Sequence, residues 1–408
     1  MATIQIKNVG PISDTGKITL TSVMLIIGRQ SSGKSTFMKI LCFCRWLEKT
    51  IMTSDEKVIS FYTQDLKFIN NMKKFYRFSD NYFSSKSHIL YEGDVLTIEM
   101  KGSETDVKIT LRKDFEEMRY NTKLCFIPSE RNLVSVISNV DKAYRSSELD
   151  MLFNYIFEWS EAKKNYSSDS PKKLSFAEDM EYVNEDGKDY VNMLKDGISL
   201  PVFNVSSGVQ SAMPLDVLTD YVTGLVGKNY NISLNDISNK ILRYTDSSGN
   251  LPPDIFEKFM KDSIYQSVQL FIEEPEQNLY PESQKKIILE IISSLKNALP
   301  KGTKESMVVM TTHSPYMLSV LNVLMAWADA MEKKPNDERL KQLINEDYLM
   351  PLSVYSAYFI SKDGTFEDII DKEMSMISGN ELDGVSDWVE EQISEINNVV
   401  YGENEEDC

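Results

Sequence analysis

The chain has 408 residues, enough for one large domain or two ordinary ones, and 42% of them are hydrophobic, which suffices for a buried core. Its 62 acidic and 44 basic side chains leave a formal charge of −18; that argues against a surface built throughout for phosphate, while a local basic stripe stays open. Cys42, Cys44, Cys125 and Cys408 form no C-x-x-C pair or zinc framework, MATIQIKNVG is no signal pattern, and no apolar run approaches the ~20 residues of a membrane span, so free thiols in a soluble, cytoplasmic protein are expected.

Ile4 and Ile6 share one face, as do Ile18 and Leu20, which predicts a short hairpin of half-buried strands. VMLII, residues 23–27, is short and continuously apolar, the pattern of a strand buried on both faces of a parallel sheet. It runs into GRQSSGKST, residues 28–36, and then into FMKILCFCRWLEK, with apolar positions every three to four residues as in a helix. The aromatic-rich stretch 50–90 is mixed and gives no assignment. VLTIEM, DVKITLR and KLCFI, between about 95 and 127, predict a small antiparallel sheet followed by another core strand. A helix is expected over 148–163, an exposed polar segment, partly loop, over 165–190, and helices over 212–226 and 254–267. VQLFI, residues 268–272, and MVVMT, residues 307–311, read as further buried strands. Val385, Trp388, Val389, Ile393 and Ile396 sit at helical spacing in a C-terminal helix over 383–400, ahead of a frayed acidic tail. There is no internal repeat and no sustained heptad pattern.

GRQSSGKS matches G-x-x-x-x-G-K-[ST] at Gly28, Gly33, Lys34 and Ser35. The glycines let the backbone curl so that its N–H groups point at phosphate oxygens, and the following helix offers its positive N-terminus to the same anion. The candidate nucleotide ligands are Gly28, Ser31, Ser32, Gly33, Lys34, Ser35 and Thr36, with Lys34 reaching the β- and γ-phosphates and the Ser35 hydroxyl binding Mg²⁺. A Gly-Lys-Ser turn also arises by chance; the apolar strand before it and the amphipathic helix after it are the confirming context.

LFIEEPEQNLYP, residues 270–281, sets Glu273, Glu274 and Glu276 at the end of an apolar run. Such a group could be an acid/base pair, a metal site, one edge of a nucleotide pocket, or a solvated acidic turn. Neighbouring strand residues project to opposite faces, which is awkward for two cooperating catalytic carboxylates. With the phosphate loop upstream, Glu273 is expected to hold Mg²⁺, usually through water, and Glu274 to polarise the attacking water as general base. His313 follows the strand 307–311. A neutral imidazole there can hydrogen-bond a γ-phosphate and sense its loss; the alternative is a satisfied structural histidine.

Residues 204–211 read NVSSGVQS. Together with the phosphate loop, EEP and the strand-end histidine, their order resembles the heads of ABC-type ATPases, in particular the SMC/RecF/OLD branch often labelled "AAA family ATPase". Ser206 matches the signature serine of that family and Gly208 its second glycine, while Ser207 and Val209 depart from the S-G-G-Q form. The EEPE-x-x-L-x-P form from Glu273 to Pro281, NVGPI at 8–12 and IPSERN at 127–132 are similar to the same group. IPSERN stands about where such heads carry a Gln that senses Mg²⁺ and water, and it has none.

The resemblance implies an α/β P-loop NTPase fold of ABC type: a mostly parallel core sheet, a small antiparallel sheet and a helical lobe. The whole chain would form one head, with a nucleotide-binding lobe over 1–140 and 260–408 and a helical signature lobe over 141–259. It also implies ATP and Mg²⁺ as ligands, and a homodimer or larger even assembly that sandwiches two ATP molecules. Each site would combine Gly33, Lys34, Ser35, Glu273, Glu274 and His313 of one copy with Ser206 and Gly208 of the other. The segment between Lys34 and Ser206 leaves no room for an SMC-type arm, and too few residues follow His313 for an OLD-type nuclease domain. Stand-alone heads of this form resemble the ATPase components of bacterial anti-phage systems such as PARIS, Septu and the retron-associated ATPases, which implies a separate effector, nuclease or toxin. The alternative is a RecF-like ATPase acting on DNA; Lys67, Lys73, Lys74 and Arg77 are the densest basic cluster available to it, or else a solvated face.

Overall fold

The structure, a computed structural model, describes residues 1–53, 57–137, 150–228, 263–298, 302, 304–379 and 392–394. In chain order the elements that matter for the site are β1 (Thr3–Val9), β2 (Ile12–Asp14), β3 (Ile18–Thr19), β4 (Val23–Gly28), α1 (Lys34–Thr53), α2 (Lys57–Tyr62), α3 (Lys67–Tyr76), β5 (Phe83–Glu92), β6 (Leu96–Lys101), β7 (Lys108–Leu111), α4 (Phe115–Met118), β8 (Thr122–Ile127) and α5 (Leu133–Val136). They continue with α6 (Met151–Ala162), β9 (Lys172–Lys173), β10 (Met180–Glu185), β11 (Lys188–Met193), β12 (Ile198–Pro201), α7 (Ser207–Gly224), β13 (Ser267–Glu273), α8 (Pro281–Ala298), β14 (Met307–Thr312), α9 (Pro315–Lys333), β15 (Tyr355–Ile360) and β16 (Phe366–Asp368).

The central sheet has the order β16-β15-β4-β14-β13-β8. Its pairings are parallel except for β16, which runs antiparallel to β15 at one edge. The apolar runs of β4, β13 and β14 are buried along their whole length, as strands covered on both faces must be. Alternate side chains serve two different cores. Val23, Leu25, Ile27, Leu270, Ile272, Val308 and Met310 pack with α6, α7, α8 and α9, whereas Met24, Ile26, Phe271 and Val309 face α1 and α3.

Beyond α1 lies the antiparallel sheet β2-β1-β5-β6-β7, with β3 also paired to β1. The expected hairpin is there as Ile4 opposite Ile18. Lodged between two sheets, α1 is buried on nearly every side, from Lys34 through Phe37 and Leu41 to Met52. The unassigned stretch 50–90 holds the end of α1, then α2, α3 and most of β5.

The segment 165–190, expected to be exposed and partly loop, is coil and turn over 166–171 and 174–179 but carries strands as well. Strands β9 to β12 form an antiparallel sheet in the order β12-β11-β10-β9. One face of it carries Tyr182 and Val191 into the core beside Trp159, and the polar remainder faces water, so a one-sided sheet read as polar loop. The region expected to be helical thus carries a sheet as well, and its core is continuous with that of the central sheet. The helices expected over 148–163 and 212–226 are α6 and the greater part of α7. Most of the expected helix 254–267, and that over 383–400 apart from residues 392–394, lie outside the described residues. Among the described residues no helix is long and apolar enough to cross a membrane.

Candidate functional site

The loop between β4 and α1 opens where a strand buried on both faces releases the chain at Gly28. Its backbone is left-handed at Ser31 (φ 60°), and Gly33 stands at φ 112°, where a side chain is strained. A Cβ on Gly33 would come within 2.9 Å of the Ile12 side chain, so the residue must be Gly on both counts. Lys34 is 6% exposed. Its ammonium donates to the carbonyls of Gly28 (2.9 Å) and Arg29 (2.8 Å), which folds the side chain back over the loop. Burial pulls its pKa down to about 8 against the opposing pull of Glu274, Glu276 and Glu273.

The remaining loop candidates divide. The Ser32 hydroxyl oxygen is buried without a partner, and Ser35 is exposed at the first turn of α1. Thr36 points elsewhere: it is buried, and its hydroxyl shares a 3.1 Å hydrogen bond with that of Tyr82, next to the antiparallel sheet. The structure therefore gives Thr36 a packing partner rather than an open face.

Strand β13 ends on Glu273, beside β14 and two strands from Gly28. Glu273 is 3% exposed. Its Oε2 accepts from the backbone N–H of Ser129 (3.2 Å), while Oε1 is buried with no partner. A buried carboxylate oxygen without a donor is costly unless something cationic completes it, and this hard anionic oxygen fits Mg²⁺. The next residue leaves the strand in the left-handed region (Glu274, φ 45°). That turn half-exposes its carboxylate, whose Oε1 lies 3.4 Å from Nε2 of His313. The imidazole contact, with the more distant charges of Lys34 and Arg131, holds the Glu274 carboxyl below the usual carboxylate range although burial opposes it.

Two residues without an assigned role complete the site. Glu276 Oε1 accepts from both the Thr312 hydroxyl (2.7 Å) and the His313 N–H (2.8 Å), so it fixes the loop that carries the imidazole. Arg131 is fully buried and donates to the carbonyls of Glu273 (2.7 Å), Glu274 (2.7 Å) and Ser211 (2.9 Å). The signal for Glu276 was its place three residues after Glu273 on a turn; that for Arg131 was only its place in IPSERN, which gave it no role because its acceptors are backbone carbonyls.

Ser206 caps the N-terminus of α7, accepting from Val209 N, and is exposed. A Cβ on Gly208 would meet the Asn278 carbonyl at 2.9 Å. Lys34, Glu273, Glu274 and His313 are thus gathered around the C-terminal ends of β4, β13 and β14, whereas Ser206 and Gly208 stand beside the Asn278–Leu279 turn. Three residues of the basic cluster have acidic neighbours: Lys67 sits 3.7 Å from Asp65 and 4.3 Å over the Phe61 ring, Lys73 is 3.7 Å from Asp80, and Arg77 pairs with Asp150 at 2.5 Å.

Residues 265–319 match the family described as "AAA domain, putative AbiEii toxin, Type IV TA system". The matched segment contains Glu273, Glu274, Glu276 and His313; the phosphate loop and Ser206 lie outside it. Among solved structures, the SMC head domain from Thermotoga maritima is similar at 11% identity, over 78% of this chain and 90% of that chain, with a TM-score of 0.35. An SMC head bound to the C-winged helix domain of ScpA is similar at 10% identity, over 92% of this chain and 99% of that chain, with a TM-score of 0.36. No curated protein matches the chain.

Proposed function

We propose that the protein is an ATPase of ABC type whose hydrolytic site is built from Gly28–Ser35, Glu273, Glu274 and His313. The observation that carries this reading is the convergence, at the C-terminal ends of neighbouring inner strands, of a phosphate-loop lysine, a buried carboxylate oxygen without a donor, and a half-exposed carboxylate in contact with an imidazole. The AAA-domain match over 265–319 supports the same assignment for the second and third of these.

In this mechanism the loop N–H groups and the N-terminus of α1 bind the phosphates of ATP, and Lys34 exchanges its two carbonyl acceptors for phosphate oxygens. Ser35 and Glu273 would hold Mg²⁺, which when bound neutralises the charge developing between the β- and γ-phosphates. Glu274 is ionised at neutral pH, as a carboxylate at or below its ordinary range is, so it can accept a hydrogen bond from the attacking water and orient it. His313 reads the terminal phosphate and, through the contact with Glu274, keeps the two groups in register.

Ser206 and Gly208 would complete the site of a second copy, in a homodimer or larger even assembly with an ATP sandwiched at each shared site. The exposure of Ser206 at the N-terminus of α7 supports this arrangement. We further propose a role as a cytoplasmic sensor that restrains a separate effector, nuclease or toxin, in anti-phage defence. The toxin–antitoxin wording of the matched family is in keeping with that, and the charge of −18 favours a basic partner.

The test is phosphate release by the full chain beside Lys34→Ala and Glu274→Gln. Release at least about 100-fold lower in both variants is expected, with ATP still bound by Glu274→Gln. Release no greater than that of Lys34→Ala would reduce the protein to a nucleotide-binding scaffold or less. Glu274→Gln purified with ATP from its native cell should bring a stoichiometric effector; nuclease-sensitive DNA in its place would transfer the assignment to a RecF-like DNA ATPase.

A further inference from the structure

Ser129–Asn132 form a 3₁₀ turn directly after β8, and the Arg131 side chain leaves it to run beneath the end of β13. A guanidinium keeps its charge in proteins, so burying one without a carboxylate in contact requires acceptors around it. Arg131 is 0% exposed, and its three nitrogens find carbonyls on its own turn (Pro128, 3.5 Å), at the end of β13 and on α7. Nη1 and Nη2 donate to the carbonyls of Glu273 and Glu274, at 2.7 Å each, and Nε donates to the Ser211 carbonyl at 2.9 Å. Its own carbonyl accepts from the Tyr155 hydroxyl at 2.7 Å, which fixes the turn to α6.

The acceptors give these bonds a consequence. Glu274 is a non-glycine residue at φ 45°, a conformation that persists only where surrounding bonds over-determine it. Its N–H donates to the Thr311 carbonyl (3.0 Å), and its carbonyl accepts from Arg131. Ser211 stands in the early turns of α7, the helix whose N-terminus presents Ser206 and Gly208. One planar fork therefore spans the backbone of Glu274 and the helix that carries the signature residues.

We infer that Arg131 is a positioning residue that ties the Glu274 backbone to the first turns of α7, so that a shift of that helix moves the Glu274 carboxylate. It acts through main-chain carbonyls rather than by touching nucleotide. The catalytic side of this inference rests on the ATPase reading; the tie itself does not.

Arg131→Lys keeps the charge and loses the fork. Amide hydrogen exchange in the variant should be at least about tenfold faster both in peptides covering 207–218 and in those covering 270–280, with β1 unchanged. In turnover, kcat should fall at least about tenfold while KM for ATP stays within about twofold, since the phosphate loop is untouched. Wild-type exchange in both segments, or acceleration in only one, overturns the tie; a rise in KM with kcat preserved overturns its role in positioning Glu274. Should wild-type protein release no phosphate above Lys34→Ala, the ATPase reading fails while the exchange data still decide on Arg131. Should Arg131→Lys not fold, Tyr155→Phe, which loosens the turn and leaves the guanidinium in place, should show the same two-segment pattern at smaller amplitude; exchange like wild type there overturns the inference.

Discussion

Lys34 is held by the same loop it must leave to meet a phosphate, its ammonium on the carbonyls of Gly28 and Arg29. Its pKa of about 8 sets a sign for binding. An anion stabilises the ammonium, so the bound-state pKa lies higher and binding takes up a proton wherever the free protein has lost it. Affinity for ATP should therefore be flat below about pH 7 and weaken as pH rises through 8, by up to about tenfold per pH unit. Calorimetric titration at pH 7, 8 and 9, in two buffers of different ionisation heat, measures both the affinity and the proton; Lys34→Met should bind weakly with neither dependence. Glu276 offers a second test at this scale. Glu276→Ala leaves the Thr312 hydroxyl and the His313 N–H without their acceptor, a loss of about 1–3 kcal/mol. Glu276→Gln keeps one oxygen for them and should lose less than half of that in urea unfolding.

At the scale of elements, α7 shows how a helix acquires a docking point. Pro214 lies inside it and has no N–H for the carbonyl of Gln210 four residues earlier. That carbonyl instead accepts from the Ser135 hydroxyl at 2.8 Å, while Arg131 takes the next one, Ser211. The proline thus leaves an acceptor free where the Ser129–Val136 segment docks. Ser135→Ala should cost about 1 kcal/mol, and in a Pro214→Ala background, where the helix can satisfy Gln210 by itself, the cost should fall towards zero; a double-mutant cycle by urea unfolding measures the difference. The same segment shows where sequence reading stops. The phosphate loop, the acidic end of β13 and His313 were legible because each follows a continuous apolar run that only a doubly covered strand explains. The role of Arg131 was not, although IPSERN marked its segment, since any residue supplies a carbonyl and no residue pattern marks the positions that will accept. The sheet β9 to β12 was hidden for another reason: a sheet with one wet face and strands as short as Lys172–Lys173 has too few apolar alternations to outvote its lysines and acids.

Across the whole molecule the central sheet is a wall between two cores, and the buried thiols fall on both sides of it. Cys125 belongs to the core with α7 and α8, and Cys42 and Cys44 to the core with α1 and α3. They are 1%, 6% and 0% exposed respectively, and burial pushes all three thiols up, Cys42 to about 12, so as folded they are poor nucleophiles. Alkylation must then wait for the wall to open, and the thiols become clocks for that event. Because β4, β13 and β14 lend alternate side chains to both cores, one side cannot open without stripping the other, and in a Cys408→Ser background the three should react with maleimide at rates within about twofold of one another. A faster pair at Cys42 and Cys44 would mean that the antiparallel sheet and α1 open alone. ATP at a hundred times its Kd should slow all three clocks about 100-fold, so a ligand held at the rim of the sheet would be timed by sulfur atoms buried on both sides of it.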